Sequence, residues 1–150
     1  MVKRLVASIL VVAATYAGIF ALVGTSWWGY IDIPSFLLVP LAPAVFVTCL
    51  YGLRGMGAAF TAPFQAEASR IQLELSVAFF KDFSKVLWCF GALGTTFGFI
   101  AVLRNLTEPS KLGPNLAVAI LTMMYAATFN LVLVVPPLAS ARRRIAGMEP

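Results

Sequence analysis

The sequence predicts an all-α membrane protein, with four transmembrane helices and a cytoplasmic helical extension of the third helix. Three observations support this fold class: 61% of the 150 residues are apolar, only 11% are charged, and the mean hydropathy is +0.92. Soluble domains carry about 25% charged residues, so most of this chain is unsuited to contact with water. We treat residues 1–150 as a single membrane domain.

Four stretches of the chain lack any Asp, Glu, Lys or Arg and are long enough to cross a bilayer, which takes about 20 apolar residues. One charge at the centre of such a helix costs about 2.5–3.5 kcal/mol on insertion scales, so four uncharged runs indicate four spans. The predicted spans cover residues 5–28, 34–53, 86–104 and 114–138.

The first run is open to a second interpretation, because Lys3 and Arg4 precede it as they precede the apolar part of a signal peptide. The apolar part of a signal peptide is typically 7–15 residues long, and this run is longer. It also ends at Trp27 and Trp28, which are typical of a membrane–water interface. We therefore predict a retained transmembrane helix rather than a cleaved signal.

The basic residues predict the orientation, because cytoplasmic loops carry an excess of Lys and Arg. If both termini lie in the cytoplasm, the only basic residues in the outer loops are Arg104 and Lys111. The charges also explain the pI near 9.6, so a nucleic-acid partner is not expected. Nine basic residues then lie inside: Lys3, Arg4, Arg54, Arg70, Lys81, Lys85, Arg142, Arg143 and Arg144.

Residues 54–85 form the only sizeable polar segment and are predicted to be cytoplasmic. Ile71, Leu75, Phe79 and Phe83 recur every four residues, which indicates an amphipathic helix. Nothing breaks the pattern before the third span, so residues 66–103 are predicted to form one long rod that projects into the cytoplasm. A helix lying on the membrane surface is the alternative.

The prolines give expectations for the helix boundaries. Pro34 and Pro114 suit the first turn of helices two and four, where a missing N–H does little harm. Pro40 and Pro43 lie inside the second span and are expected to bend it or leave carbonyls free. Pro136 is a candidate helix-bending residue near the end of helix four, or it marks only the exit of that helix.

The chain has no histidine, and none of its six acidic residues lies inside a predicted span. Histidine-based triads and zinc sites are therefore excluded, and no metal site, resident cofactor or enzyme activity is predicted. Proton carriers inside membranes are usually ionisable side chains. If this chain conducts protons, another polypeptide must supply the titrating group.

Small and hydroxyl-bearing residues form one stripe on each of the last two spans. A Gly-x-x-x-Gly pair within the first stripe allows a neighbouring helix to approach closely. A membrane threonine often only hydrogen-bonds its own helix, so a shared lumen and a purely structural role remain open. The stripes are Gly91, Gly94, Thr95 and Gly98 on helix three, and Ala119, Thr122, Ala126 and Phe129 on helix four, which Tyr125 and Asn130 flank.

Three segments resemble the MotA/TolQ/ExbB ion-channel family. The segment from Phe90 to Ile100 is similar to the family's third-helix motif. Residues 112–136, which begin Leu-Gly-Pro and include Thr122 and Tyr125, and the Tyr-Ile-Asp-Ile-Pro-Ser segment at 30–35 resemble the MotA branch in particular. The similarity covers nearly all four spans.

The resemblance implies a homopentamer around two helices of a single-span partner like MotB, ExbD or TolR. In the family, that partner carries a membrane aspartate that binds the transported proton or sodium ion. Thr95 and Thr122 match the family's channel-lining hydroxyl positions, and Thr96 and Tyr125 are their neighbours. Gly91, Gly94, Gly98, Ala119 and Ala126 would serve helix packing and clearance for the partner.

The chain departs from the flagellar members of the family in two ways. They have a proline in an Ala-Pro-Ala-Phe-like run, and Trp88 stands at that position here. They also have a much longer cytoplasmic insertion that engages the rotor, and residues 54–85 are too few to contain it. Torque on a flagellar rotor is therefore not predicted.

The leading functional hypothesis is an ion-channel or stator subunit of the bacterial inner membrane that converts proton or sodium motive force into mechanical work. The alternative is a non-conducting scaffold that anchors the single transmembrane helix of a partner. Trp88 and the short segment 54–85 motivate that alternative.

Overall fold

The structure is a computed structural model, and it describes residues 2–24 and 27–148. It is all-helical in this part of the chain, with no strand among these residues. Two 3₁₀ turns, Trp27–Tyr30 and Ala62–Phe64, join the first three helices. The helices are α1 (Val2–Val23), α2 (Ile33–Thr61), α3 (Arg70–Arg104), α4 (Pro109–Phe129) and α5 (Val135–Ala146), with a π-helical turn (Asn130–Val134) between the last two.

Three helical segments are long and apolar enough to cross a membrane: Ile33–Phe64, Arg70–Arg104 and Pro109–Ala146. The apolar part of α1, Val6–Leu22, is shorter than these three. The helix stops at Val23, before the predicted span ends at residue 28, because Gly24 takes a positive φ of 65°. The fourth span and the orientation in the membrane stay predictions.

Helix α2 begins where the sequence predicted, with Pro34 in its first turn. The Asp32 carboxylate accepts a hydrogen bond of 2.9 Å from the Ser35 N–H and so caps the helix. The backbone departs from helical dihedral angles at Gly52 (φ 72°, ψ 161°) rather than at Pro40 or Pro43. Glycine carries no steric penalty at this φ, so the break is placed there.

Helix α3 is one continuous helix of 35 residues, so the part of the polar segment from Arg70 onward runs unbroken into the third span, whereas the predicted rod began at residue 66. Its start is fixed by a capping box, in which the Ser69 hydroxyl accepts from the Gln72 N–H and the Gln72 side chain accepts from the Ser69 N–H. That start also makes the segment 54–85 partly α2 and partly α3. Which side of the membrane it occupies stays a prediction.

Helix α4 begins at Pro109, five residues earlier than predicted, and Pro114 lies inside it. The connection between α3 and α4 is therefore residues 105–108. Pro109 occupies the first helical position, where its fixed φ favours the helix and its missing N–H is harmless. An ion pair of 2.7 Å between Lys111 and Glu108 adds to the first turn.

Helix α3 lies at the centre of the fold and packs on α2, α4 and α5. The predicted apolar face of its first half is only partly buried, because Phe79 and Phe83 are in the core whereas Ile71 and Leu75 are exposed. The buried face of this half differs from the predicted face because both α2 and α5 pack against it. The core includes Val39, Val47, Phe79, Phe80, Phe83, Leu87, Leu121, Tyr125, Ala126 and Val134.

Candidate functional site: the α3–α4 seam

The glycine stripe of α3 packs directly against the small-residue stripe of α4, and we call this contact the α3–α4 seam. Gly91, Gly94 and Gly98 are buried, as are their partners on α4. A Cβ on Gly91 would stand 2.6 Å from the Ala126 Cβ. The equivalent distances are 2.8 Å from Gly94 to the Thr122 methyl carbon and 2.6 Å from Gly98 to the Ala119 Cβ.

The seam arises from spacing in the sequence. Gly91, Gly94 and Gly98 follow at intervals of three and four residues, which places them on one face of a helix. Because none of them has a side chain, the backbones of α3 and α4 approach more closely than larger residues would allow. The three glycines therefore lie against α4 of the same chain, and their predicted role in clearance for a partner stays a prediction.

The seam brings two predicted hydroxyls together. The Thr95 hydroxyl lies 2.8 Å from the Ala119 carbonyl oxygen and 3.0 Å from the Thr122 hydroxyl. The Thr122 hydroxyl lies 2.9 Å from the same carbonyl. Thr122 is only 1% exposed, whereas Thr95 is partly buried. Thr95 therefore links the two helices, while Thr122 bonds within its own helix.

A shallow groove of about 460 Å³ runs beside the seam on its outer side. Its surface exposes only apolar atoms, so Thr95 does not present its hydroxyl to the groove in this arrangement. Trp88, which is 44% exposed, lies seven residues before Thr95 and thus on the same face of α3. The groove is lined by Trp88, Thr95, Ala119, Ile120, Met123, Met124 and Ala127.

The other two predicted lining residues lie elsewhere. Thr96 is on the exposed side of α3 and donates to the Ala92 carbonyl of its own helix at 2.8 Å. Tyr125 is buried, and its hydroxyl donates to the Tyr30 carbonyl at 2.5 Å while accepting from the Asp32 N–H at 3.0 Å. The Tyr125 hydroxyl thus bonds the connection between α1 and α2, and the role of Tyr125 as a lining residue stays a prediction.

Pro136 stands in the first turn of α5, directly after the π turn. The N–H of Val135 donates to the carbonyl of Asn130, five residues earlier, as in a π-helix. Asn130 is buried and its side-chain oxygen accepts a 2.6 Å hydrogen bond from the Ser84 hydroxyl of α3. The irregular turn ahead of Pro136 is therefore tied to α3 by a polar contact that the sequence did not predict.

Arg144 makes a contact that was also missed, because the arginine run was interpreted only as an orientation signal. Its guanidinium donates to the Ala62 carbonyl at 3.1 Å, to the Ala66 carbonyl at 2.8 Å and to the Gln65 carbonyl. These carbonyls lie in the connection that follows α2, so Arg144 fastens α5 to the connection between α2 and α3. Finding it from sequence would have required knowing that α5 folds back there.

Another missed contact joins α2 to α3 next to the break at Gly52. The Tyr51 hydroxyl donates to the Asp82 carboxylate at 2.6 Å, and Lys85 lies 3.6 Å from the same carboxylate.

Among the residues that the structure describes, no group of three or more His, Cys, Asp or Glu side chains is placed to hold a metal ion.

The apolar helices and the seam define a helical membrane protein whose last two long helical segments are in direct contact. Residues 56–148, more than half of the chain, match the MotA/TolQ/ExbB proton channel family, and the chain belongs to this family. The family consists of channel and stator proteins rather than enzymes.

Two relatives illustrate the match. Motility protein A of Aquifex aeolicus (strain VF5) is 35% identical over 78 residues, which are 52% of this chain and 30% of that protein. The chemotaxis protein PomA of Vibrio alginolyticus is 39% identical over 51 residues, which are 34% of this chain and 20% of that protein. The similarity thus spans less than a third of the length of either relative.

Proposed function

We propose that this chain is an ion-channel or stator subunit of the bacterial inner membrane. In this proposal it works with a single-span, MotB-like partner and converts proton or sodium motive force into mechanical work. The observation that carries the proposal is the α3–α4 seam, which holds the hydroxyls of Thr95 and Thr122 together at 3.0 Å beside an open groove. Membership in a proton channel family supports it.

The groove has properties that suit a transmembrane helix. It is apolar, it follows the direction of α3 from Trp88 to Thr95, and two methionines line it with flexible side chains. A helix lying there would bring one of its side chains next to Thr95. A membrane aspartate at that point would be protonated or bound to its ion in an apolar setting, because an uncompensated charge is costly there.

The rest of the proposed assembly follows from the family resemblance. Residues 1–150 form one membrane domain with four spans and both termini in the cytoplasm. Five copies surround two partner helices, with α3 and α4 nearest the partner. An ion that crosses 100 mV releases about 2.3 kcal/mol per charge, which biases a step of the pentamer around its partner. No resident cofactor takes part, since the ion itself is the cargo.

A reconstitution experiment tests this function. The chain is coexpressed with the single-span protein encoded beside its gene, the copies of each chain are counted in the purified particle, and ion flux is measured in proteoliposomes. We expect flux to fall at least tenfold in the double variant Thr95→Val with Thr122→Val. The matched control is Thr15→Val on α1, a residue outside the predicted site whose hydroxyl donates to the Val11 carbonyl of its own helix, and this variant should keep its flux. Unchanged flux in the double variant refutes the role of the two threonines.

The second candidate function is a non-conducting scaffold for a partner's helix. One observation favours it: the groove exposes only apolar atoms, and the two hydroxyls are engaged within the chain. A partner whose span is wholly apolar, together with proteoliposomes that are no more permeable than empty ones, would support the scaffold over the channel.

A further inference from the structure

We infer that a shallow pocket between α3 and α5 binds the phosphate of an anionic phospholipid headgroup, with Lys81 as its main contact. The pocket, which we call the interfacial pocket, has a volume of about 370 Å³. The inference does not depend on ion conduction, because it concerns how the chain meets the bilayer. The pocket is lined by Glu74, Val77, Ala78, Lys81, Asp82 and Lys85 of α3 and by Ile145 of α5.

The interfacial pocket lies where the uncharged part of α3 meets its charged part. The uncharged run covers residues 86–103, which span about 27 Å, close to the roughly 30 Å thickness of a hydrocarbon core. Lys85 directly precedes this run and therefore stands at one boundary of the core. Lys81 lies about one helical turn farther out. The pocket thus falls at the depth of the lipid headgroups.

The two neighbouring helices reach the same level. The uncharged run of α2 ends at Leu53, and Tyr51, close to this end, donates to Asp82 in the pocket. The uncharged run that continues from α4 into α5 ends at Ala141, and Ile145, one turn later, lines the pocket. Three helices therefore change from apolar to charged at one height in the fold. This agreement places the bilayer surface at the pocket.

The charges around the pocket favour an anion. Glu74 pairs with Arg70 at 2.9 Å, and the Asp82 carboxylate lies 3.6 Å from Lys85 and also accepts a tyrosine hydroxyl. Both carboxylates are thus compensated within the chain. Lys81 is exposed and forms no ion pair with any residue that the structure describes. Its ammonium group is therefore available to a phosphate.

A second cation borders the pocket from α5. Arg142 precedes Ile145 by three residues, so it lies on the same face of α5 and one turn nearer the hydrocarbon. It is exposed, and within the described part of the chain it forms no ion pair either. Arg144 bonds the connection between α2 and α3 and so holds this end of α5 in place. A phosphate in the pocket is therefore attracted by Lys81 from one helix and by Arg142 from the other.

A lipid is the anion that suits this position. Val77, Ala78 and Ile145 give the pocket an apolar part, against which the glycerol and the first acyl carbons of a lipid can pack. Basic pockets between transmembrane helices bind lipid headgroups in this way. A free phosphate ion would gain nothing from the apolar lining. We therefore assign the pocket to a phospholipid of net negative charge, of the phosphatidylglycerol class.

Lysine footprinting in lipid nanodiscs tests the assignment. The full chain is placed in nanodiscs of phosphatidylglycerol or of phosphatidylcholine with the same acyl chains, its lysines are acetylated, and mass spectrometry measures the modified fraction of each. Phosphatidylglycerol should slow the acetylation of Lys81 about fivefold relative to phosphatidylcholine, the gain expected for one cation at an anionic surface. Lys111, at the opposite end of the helices, is the control and should be acetylated equally in both lipids.

Variants then locate the site. Native mass spectrometry of the purified full chain in detergent counts the bound phosphatidylglycerol during a titration. Lys81→Gln with Arg142→Gln should weaken the tightest binding about 25-fold, because each cation near an anionic lipid contributes about fivefold. The matched control is Arg104→Gln with Lys111→Gln, which removes the same charge at the opposite end of the helices and should leave that binding unchanged.

All four substituted side chains are exposed, so both double variants should fold, and circular dichroism checks this. Equal acetylation of Lys81 in the two lipids would overturn the inference, and so would an equal loss of affinity in the two double variants. Inorganic phosphate, added at the same concentration as the lipid, should not displace it. Displacement would show that a free anion, rather than a lipid, occupies the pocket.

Discussion

Replacing Gly91 by alanine is expected to force α3 and α4 apart. The added Cβ would stand 2.6 Å from the Cβ of Ala126, which is wholly buried. Carbon atoms pack best at about 3.5–4.0 Å, so the helices must separate by about 1 Å at this point. Overpacking of a well-packed core costs about 1–3 kcal/mol. Alanine also favours a helix by about 1 kcal/mol over glycine, which partly hides that cost.

A matched control therefore carries the comparison. Gly18 lies inside α1, and a Cβ there meets no atom within 4 Å, so Gly18→Ala shows the helix-propensity effect alone. Both variants are unfolded with sodium dodecyl sulfate in mixed micelles and followed by far-UV circular dichroism. The free energy of unfolding of Gly91→Ala should lie about 1–3 kcal/mol below that of Gly18→Ala.

Two compensating substitutions refine the prediction. Gly91→Ala with Ala126→Gly moves the same methyl group across the seam, so most of the lost stability should return. Gly98→Ala with Ala119→Gly should recover less, because a Cβ on Gly98 also stands 2.7 Å from the Cα and 2.9 Å from the N of Ala119. Equal stability of Gly91→Ala and Gly18→Ala, or no recovery in the first pair, would refute the close approach of the helices.

Two further predictions concern the contacts at the other end of α3. Arg144→Gln should raise the rate of amide hydrogen exchange across residues 62–68, because three carbonyls there lose a charged donor. Arg143 is exposed, so the control variant Arg143→Gln should leave that rate unchanged. Tyr51→Phe should lower the free energy of unfolding by about 1.5–3 kcal/mol, since a hydrogen bond to the Asp82 carboxylate is lost. Lys85→Gln should change the free energy of unfolding by less than about 1 kcal/mol, because the ion pair of Lys85 is solvent-exposed. A larger effect for Lys85→Gln than for Tyr51→Phe would contradict this ranking.

The local signals in the sequence predicted most of the helices. Pro34 at a helix start and the unbroken pattern into the third span each depend on residues close together in the chain, and both were confirmed in the helices observed. Uncharged length also identified the three long apolar segments, whereas the span predicted over residues 5–28 stays a prediction. The predicted start of α4 was wrong because both Pro109 and Pro114 suit the first turn of a helix. Pro109 differs from Pro114 in being flanked by the ion pair of Glu108 and Lys111.

The candidate site was predictable only in part. The spacing of Gly91, Gly94 and Gly98 identified the packed face of α3, because a helix repeats every 3.6 residues. Spacing alone does not say which neighbour each side chain meets. Tyr125 and Thr122 lie on the same half of α4, yet one bonds the connection before α2 and the other faces α3. Such assignments depend on contacts between distant parts of the chain.

The π turn at Asn130–Val134 determines how α5, the helix that follows it, is rotated about its own axis. Each residue advances an α-helix by about 100°, so one extra residue accommodated in a wider turn resets the azimuth of the next helix by that angle. Without this offset, the side of α5 that buries Ala141 and aims Arg144 at the Ala62 carbonyl would rotate away from its neighbours. The one additional residue in the π turn thus determines which face of α5 packs against its neighbours.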